Sequence, residues 1–307
     1  ENSLSGEAVL DLTCGLGVDT LALSRKFKRV VSCEHDEVLA AITRHNLALL
    51  GVENVTVENC SAEEYLATTT EHFDWIFVDP DRRGERGEKL VLLEECSPNV
   101  VALFPRIMEV ADALCIKSSP LFDTAEAERK FGDCSVEVLS LAGECKQVNI
   151  YVDGKAPTIS AAAVGVGRFV VERKAAEEAT FADAPTDLSD YQYLTLPDVA
   201  LVHSRLVAAA FAGKADVWSN NGVALSREYP ENVLGRVFKI EQIADFGNKE
   251  LKKSLKGKKI EIFRRDFPHT NSEICKRFSI KEGAAERWCF TRICGALLAI
   301  KICPHQR

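Results

Sequence analysis

Two stretches of this 307-residue chain concentrate side chains able to do chemistry. The first reads D-L-T-C-G-L-G-V-D from Asp11 to Asp19. Glycines at 15 and 17 let a backbone turn approach a ligand with no Cβ in the way, and the helix that follows offers free N–H groups. The dinucleotide pattern G-x-G-x-x-G is broken, because Thr20 stands where its third glycine would be. A helix carrying threonine there packs less closely on the strand, and a pyrophosphate loses its seat. The cradle of Thr13, Cys14, Gly15 and Gly17 is therefore read as one for a cofactor without phosphates, with Asp11 accepting from a cationic or amine-bearing group. The second stretch is D-P-D-R-R, Asp79 to Arg83. Arg82 and Arg83 read as clamps for phosphate or carboxylate, or else as partners of Asp81 and Glu85.

These groups need a scaffold that aims them at one place. Val9, Leu10 and Leu12 form a short apolar strand, Thr20 to Phe27 a helix, and Arg29 to Cys33 a second strand ending in Glu34. A carboxylate at the end of the second strand of a βαβ unit lies beside a ligand's ribose and accepts from both hydroxyls. The alternative is a solvated acid at a strand end. Asp36 caps a helix that runs through Leu39, Ile42 and Leu49 to Gly51, and Asn54 to Glu58 is a third strand. Ser61 with Glu64 fits a capping box. Phe73 to Val78 is a fourth strand that delivers Asp79 at its carboxyl end, the end that faces the ligand crevice in parallel sheets. A helix at 100–110, a strand at 113–117, a helix at 123–131 and an antiparallel hairpin of 135–141 with 146–152 complete an α/β alternation.

The two parts of the chain differ in charge. Residues 1–190 carry 18 Lys and Arg against 34 Asp and Glu, a net −16, whereas residues 191–307 carry 20 against 12, a net +8. A basic module joined to an acidic one points to a polyanionic partner. The polar run 172–190 reads as an exposed hairpin or linker, so domains are expected at 1–190 and 191–307, the second divisible into 191–233 and 234–307. One helix starting at Pro197-Asp198 is expected to carry Val199, Leu201, Val202, Leu206 and Val207 inward. A strand at 236–240, a helix at 249–256, a strand at 260–263, a helix at 271–278 and a closing hairpin of 288–293 with 296–302 follow. Leu251 and Leu255 mark that first helix's buried side. Lys249, Lys252, Lys253 and Lys256 fall opposite, and with Lys259, Arg264 and Arg265 they are expected to form one connected stripe. Eleven cysteines with no C-x-x-C pair disfavour metal and disulfide frameworks and fit a reducing compartment. No run approaches a membrane span. The first strand follows almost at once on the chain's start, so an upstream segment that helps hold substrate is also expected.

V-L-D-L-T-C-G-L-G-V-D-T resembles motif I of the class I S-adenosylmethionine-dependent methyltransferases, in the form seen in RNA guanine methyltransferases of the cap-hypermethylating type. D-P-D-R-R resembles their motif IV, the D-P-P or N-P-P-Y corner. K-E-L-K-K-S-L-K followed by I-E-I-F-R-R-D-F-P is similar to the THUMP-like domain at the C-terminus of certain bacterial class I methyltransferases. The resemblance implies a Rossmann-like seven-stranded sheet closing in an antiparallel hairpin over residues 7–153, and a smaller α+β, ferredoxin-like C-terminal region. It also implies S-adenosyl-L-methionine as cofactor, Ser61 and Ala62 bordering the adenine, Asp79 orienting the nucleophile with the Pro80 carbonyl as second acceptor, and RNA, as tRNA or rRNA, as the cytoplasmic substrate. Asp81 replaces the motif's second proline and no aromatic follows, which removes a platform for a flipped base and disfavours methylation of an adenine amine. A covalent cysteine route is disfavoured because no cysteine adjoins Asp79. The alternatives are a noncatalytic RNA-binding protein with a vestigial cofactor domain and a nucleotide-dependent oxidoreductase.

Overall fold

The computed structural model describes residues 4–81 and 92–305, and its contacts divide the chain into two compact units. Residues 1–139 with 146–158 form the first, and residues 140–145 with 159–307 the second. Among the described residues no helix is long and apolar enough to cross a membrane.

The first unit alternates strands and helices as expected: β1 (Gly6–Asp11), α1 (Val18–Ser24), β2 (Phe27–Cys33), α2 (Glu37–Leu49), β3 (Val55–Glu58), α3 (Ala62–Thr68), β4 (Phe73–Val78), α4 (Val100–Val110), β5 (Ala111–Ser118), α5 (Thr124–Phe131), β6 (Ser135–Leu141) and β7 (Glu144–Val152). Its strands run β3-β2-β1-β4-β5-β7-β6, parallel except where β7 returns against β5 with Leu114 opposite Val152. The central strands carry apolar runs, Val9-Leu10, Val30-Val31, Ile76-Phe77-Val78 and Ala113-Leu114-Cys115-Ile116, because parallel strands covered on both faces are buried there. Val9, Leu10, Val30, Ile76, Leu114 and Ile116 are fully buried, and Leu23 of α1 packs on Val9, Phe27, Phe77 and Tyr151. Side-chain caps at Asp36, Ser61, Asn99 and Asp123 start α2 to α5, each contributing about 1 kcal/mol.

The second unit begins with β8 (Thr158–Ala163), β9 (Gly167–Glu172) and α6 (Arg173–Glu178). The polar segment after α6 is tied down rather than free, since Ala182 N donates to the Val217 carbonyl and Trp218 Nε1 to that of Asp183. Segment 159–190 thus falls with the second unit, and the division lies earlier than residue 190. There follow β10 (Tyr193–Pro197), α7 (Val199–His203), α8 (Val207–Phe211), β11 (Asp216–Val217), β12 (Ala224–Ser226), β13 (Gly235–Asp245), α9 (Lys249–Leu255), β14 (Lys259–Arg265), α10 (Asn271–Phe278), β15 (Lys281–Glu282), β16 (Glu286–Ile293) and β17 (Ala296–Pro304). The expected single helix after Pro197 is two short ones, because Arg205 takes a left-handed φ of 59°. One eight-stranded sheet, β11-β12-β10-β13-β17-β16-β14-β15, joins 191–233 to 234–307, so the former is no separate subdomain. Leu194, Phe238 and Ile300 share one core, whereas Leu251, Leu255, Ile274 and Phe278 of α9 and α10 pack on Ile260, Trp288 and Phe290 in another.

Candidate active site

The end of β1 is fixed from within. Asp11 is fully buried, its Oδ1 accepting from Thr13 N at 2.9 Å and its Oδ2 from Thr20 Oγ1 at 2.6 Å and Ser32 Oγ at 2.9 Å. Burial pushes this carboxyl above the usual range, against the hydrogen bonds from Thr20, Thr13 and Ser32. Asp11 therefore shapes the loop, and the expectation that it meets ligand directly is corrected: it does not line the cavity. The loop itself turns through Gly15 at φ 52° and Gly17 at φ 77°, left-handed conformations that L side chains rarely adopt. A Cβ on Gly17 would lie 2.6 Å from Thr43 Cγ2 of α2, and Thr43 Oγ1 donates to the Gly15 carbonyl at 2.8 Å.

Glu34 follows β2 and lines the cavity, only 6% exposed. Its Oε2 accepts from Gly15 N at 2.8 Å and its Oε1 from Asp36 N at 2.9 Å. Each oxygen of a carboxylate can accept twice, so Oε2 retains capacity for a ligand hydroxyl, while His35 Nδ1 lies 3.4 Å from Oε1. Asn59 holds the strand end by donating to the carbonyls of Glu34 and His35.

Asp79 follows β4. Its N–H donates to Thr13 Oγ1 at 2.7 Å, and its Oδ2 lies 2.9 Å from Lys117 Nζ. The register that pairs Val78 with Ile116 sets Asp79 beside Lys117, the penultimate residue of β5. Lys117 also reaches Asp19 Oδ2, in the first turn of α1, at 2.7 Å. Burial opposes its charge, but the bonds to Asp19 and Asp79 prevail and hold the ammonium above its ordinary value. A chain of contacts thus runs from Asp11 through Thr13, Asp79 and Lys117 to Asp19.

These groups border one cavity of about 1070 Å³. Thr13, Cys14, Gly15, Glu34, Ser61, Ala62, Asp79 and Pro80 line it together, whereas Gly17 and Asp11 sit behind the wall. Ser61 both borders the cavity and forms the capping box with Glu64. Arg82 and Arg83 lie outside the described residues. Among the described residues the charged lining is Asp19, Glu34, Glu63, Asp79 and Asp81 against Lys146, with His35 beside them. Such a wall attracts a cationic ligand and repels a pyrophosphate. Asp19, Lys117 and Thr43 were not singled out from the sequence. The one available signal was Lys117 itself, a cation closing the apolar run of β5 at the strand end that faces the crevice.

In the second unit Lys249, Lys252 and Lys253 are exposed along one side of α9, opposite Leu251 and Leu255, and Lys256 follows as its C-cap. The expected continuation of the stripe along β14 is not found. Side chains alternate along a strand, so Arg264 shares the face of Ile260, and Lys259 and Arg265 take the other. Arg264 Nη1 is also engaged by the His269 carbonyl, and Arg265 Nη1 by that of Arg264.

Residues 235–303 match the family model described as THUMP domain-like, and residues 1–96 the one described as Conserved hypothetical protein 95. An uncharacterized S-adenosylmethionine-dependent methyltransferase of Mycobacterium tuberculosis is 29% identical over 153 residues, covering 50% of this chain and 40% of its own. A tRNA/tmRNA (uracil-C(5))-methyltransferase of Sodalis glossinidius is 30% identical over 139 residues, covering 39% and 35%. The chain spans about two-fifths of the length of these relatives. A crystal structure from Porphyromonas gingivalis W83, described as a candidate methyltransferase, superposes with a TM-score of 0.83 at 23% identity, covering 98% of this chain and 78% of that one.

Proposed function

We propose that this chain, which has the class I methyltransferase fold and a THUMP-like domain over residues 235–303, transfers a methyl group from S-adenosylmethionine to a nucleobase of RNA. The observation that carries the cofactor reading is the cavity wall, with its glycine cradle, the buried Glu34 that follows β2 and, among the described residues, a carboxylate excess suited to a cation. The residues fit: Glu34 would hold the ribose hydroxyls, Ser61 and Ala62 the base, and the backbone of Cys14, Gly15 and Leu16 the methionine end, with Gly17 turning the loop from behind. A dinucleotide, the oxidoreductase alternative, would bring its phosphates against that acidic wall.

When bound, S-adenosylmethionine supplies a methyl carbon already activated by sulfonium, with the C–S electron pair leaving on sulfur. The protein must then align a nucleophile and receive its proton. Asp79 Oδ2 is held by Lys117, and its Oδ1 would accept from an amine N–H, with the carbonyl of Pro80, which also lines the cavity, as a second acceptor. The tRNA relatives are named for uracil C5, a carbon whose methylation calls for a thiolate. Here burial pushes the thiols of Cys14, Cys33, Cys60 and Cys115 up, which disfavours that route. An amine nucleophile is the better match.

RNA as partner is supported by the THUMP-like match, the names of the relatives and the lysine face of α9. tRNA and rRNA are the substrates in view, in the cytoplasm, where the chain's cysteines would stay as the free thiols seen here. The test compares modified nucleosides in total RNA from cells with and without the gene. One methylated nucleoside should vanish without it. An unchanged profile, with S-adenosylhomocysteine still bound by the purified chain, would favour the noncatalytic alternative.

A further inference from the structure

The Lys117 ammonium is shared between two carboxylates that both line the cavity, while the lysine itself stands behind them. Asp19 comes from α1 and Asp79 from the end of β4, so two walls of the cavity meet on one cation. All three side chains are about a quarter to a third exposed, which leaves their charges incompletely screened. Together they present one net negative charge to the cavity instead of two.

We infer that Lys117 is a specificity-determining residue, whose charge sets how far the cavity favours the positively charged sulfonium donor over the neutral thioether left after transfer. This rests on the cofactor reading above. Donor and product differ by one methyl and one positive charge, so size separates them poorly and charge separates them well. A cavity with Asp19 and Asp79 both uncompensated would hold the donor hardest in its ground state, which does nothing for the chemical step. Lys117 moderates that attraction. It also occupies one Asp79 oxygen.

The experiment is calorimetry with S-adenosylmethionine and S-adenosylhomocysteine on the full chain, read as the ratio of the two affinities. Lys117→Met keeps the length of the side chain and removes the charge. It should move the ratio towards the donor by about fivefold or more, the order that one unit charge exerts near a protein surface. Asp19→Asn should move it the other way, and Lys117→Arg should keep the wild-type ratio. A variant that only loosens the fold weakens both ligands alike and leaves the ratio where it was. The opposite signs therefore separate charge from damage, and Lys117→Gln, which also removes the charge, decides the matter if Lys117→Met does not fold. An unchanged ratio in Asp19→Asn and Lys117→Met overturns the inference and spares the cofactor reading. Binding of neither ligand by the wild type overturns both.

Discussion

Thr20 Oγ1 donates to Asp11 Oδ2 across 2.6 Å, inside a site where neither residue touches solvent. Thr20 occupies the position of the third glycine in a dinucleotide cradle, and its hydroxyl explains the replacement. The glycine would bring helix and strand close; the threonine fastens them through a hydrogen bond and also contacts Ser32 Oγ at 3.0 Å. The loop between is held open by buried polar bonds, which in a low dielectric are strong when complete.

The buried Asp11 makes stability depend on pH with a definite sign. Its carboxyl is raised above 3.8 by burial, so the native chain binds the proton more tightly than the unfolded chain does. The stability contributed by protonation is fully present below 3.8 and is lost as pH rises through the raised value. Asp11→Asn has no such proton. Urea unfolding at several pH values on both sides of 3.8 should show wild-type stability falling relative to Asp11→Asn as pH rises. Parallel profiles would mean that the hydrogen bonds from Thr20, Thr13 and Ser32 cancel the desolvation.

Gly17 and Thr43 form a second testable pair. An alanine at 17 must adopt φ 77° and would press its Cβ to 2.6 Å from Thr43 Cγ2. The left-handed backbone alone costs roughly 1–2 kcal/mol. Pushing Thr43 aside adds to this, because its hydroxyl holds the Gly15 carbonyl. Gly17→Ala should therefore lower the melting temperature and weaken S-adenosylhomocysteine binding. Thr43→Ser removes Cγ2 and keeps the hydroxyl, so in the Gly17→Ala background it should restore part of both. Additive losses in the double variant would place the clash elsewhere.

Asp79 is expected to act on the nucleophile. Asp79→Asn keeps the shape and the backbone bond to Thr13 while removing the charged acceptor. Transfer of tritiated methyl to RNA from cells lacking the gene should fall about 10²–10⁴-fold, the usual span for a positioned base. Affinity for S-adenosylhomocysteine, which carries no sulfonium charge, should stay within about threefold. Retained transfer would move the role to another acceptor in the cavity.

Much of this was legible in the sequence, for physical reasons that differ by element. β1, β2, β4 and β5 announced themselves as apolar runs because they are buried on both faces, and Ser61 and Asp36 announced helix starts because caps use few residue types. Glu34 was legible because its place follows from the length of one helix and one strand. Asp11 was misread because a strand-end acid looks the same whether it faces the ligand or its own loop, and only the partners Thr20 and Ser32 decide. Lys117 was missed because its partners lie far away in sequence, at Asp19 and Asp79. The stripe of seven cations failed at β14, where adjacent Arg264 and Arg265 necessarily take opposite faces. Arg205, whose left-handed φ divides the helix after Pro197, gives no signal of it in sequence.

The lysines of α9 remain as the candidate phosphate-binding face. Lys249, Lys252 and Lys253 stand at i, i+3 and i+4 and share one side of the helix, Lys256 follows as its C-cap, and Leu251 and Leu255 anchor the other side in the core. If these four each neutralise a phosphate on a single strand, log affinity should fall with log salt at a slope of about −3. Replacing Lys252, Lys253 and Lys256 together by Gln leaves the buried leucines untouched and should flatten the slope by about two units. Arg264→Gln, at the strand end and on the His269 carbonyl, should leave the slope as it was. Preference among RNA sequences should barely change, because phosphate contacts position a nucleic acid without reading it. A filter-binding salt titration on structured RNA with the wild type, the triple variant and Arg264→Gln measures all three. A slope unaltered in the triple variant would make the lysines a solvated face and leave RNA binding to another surface of the THUMP-like domain.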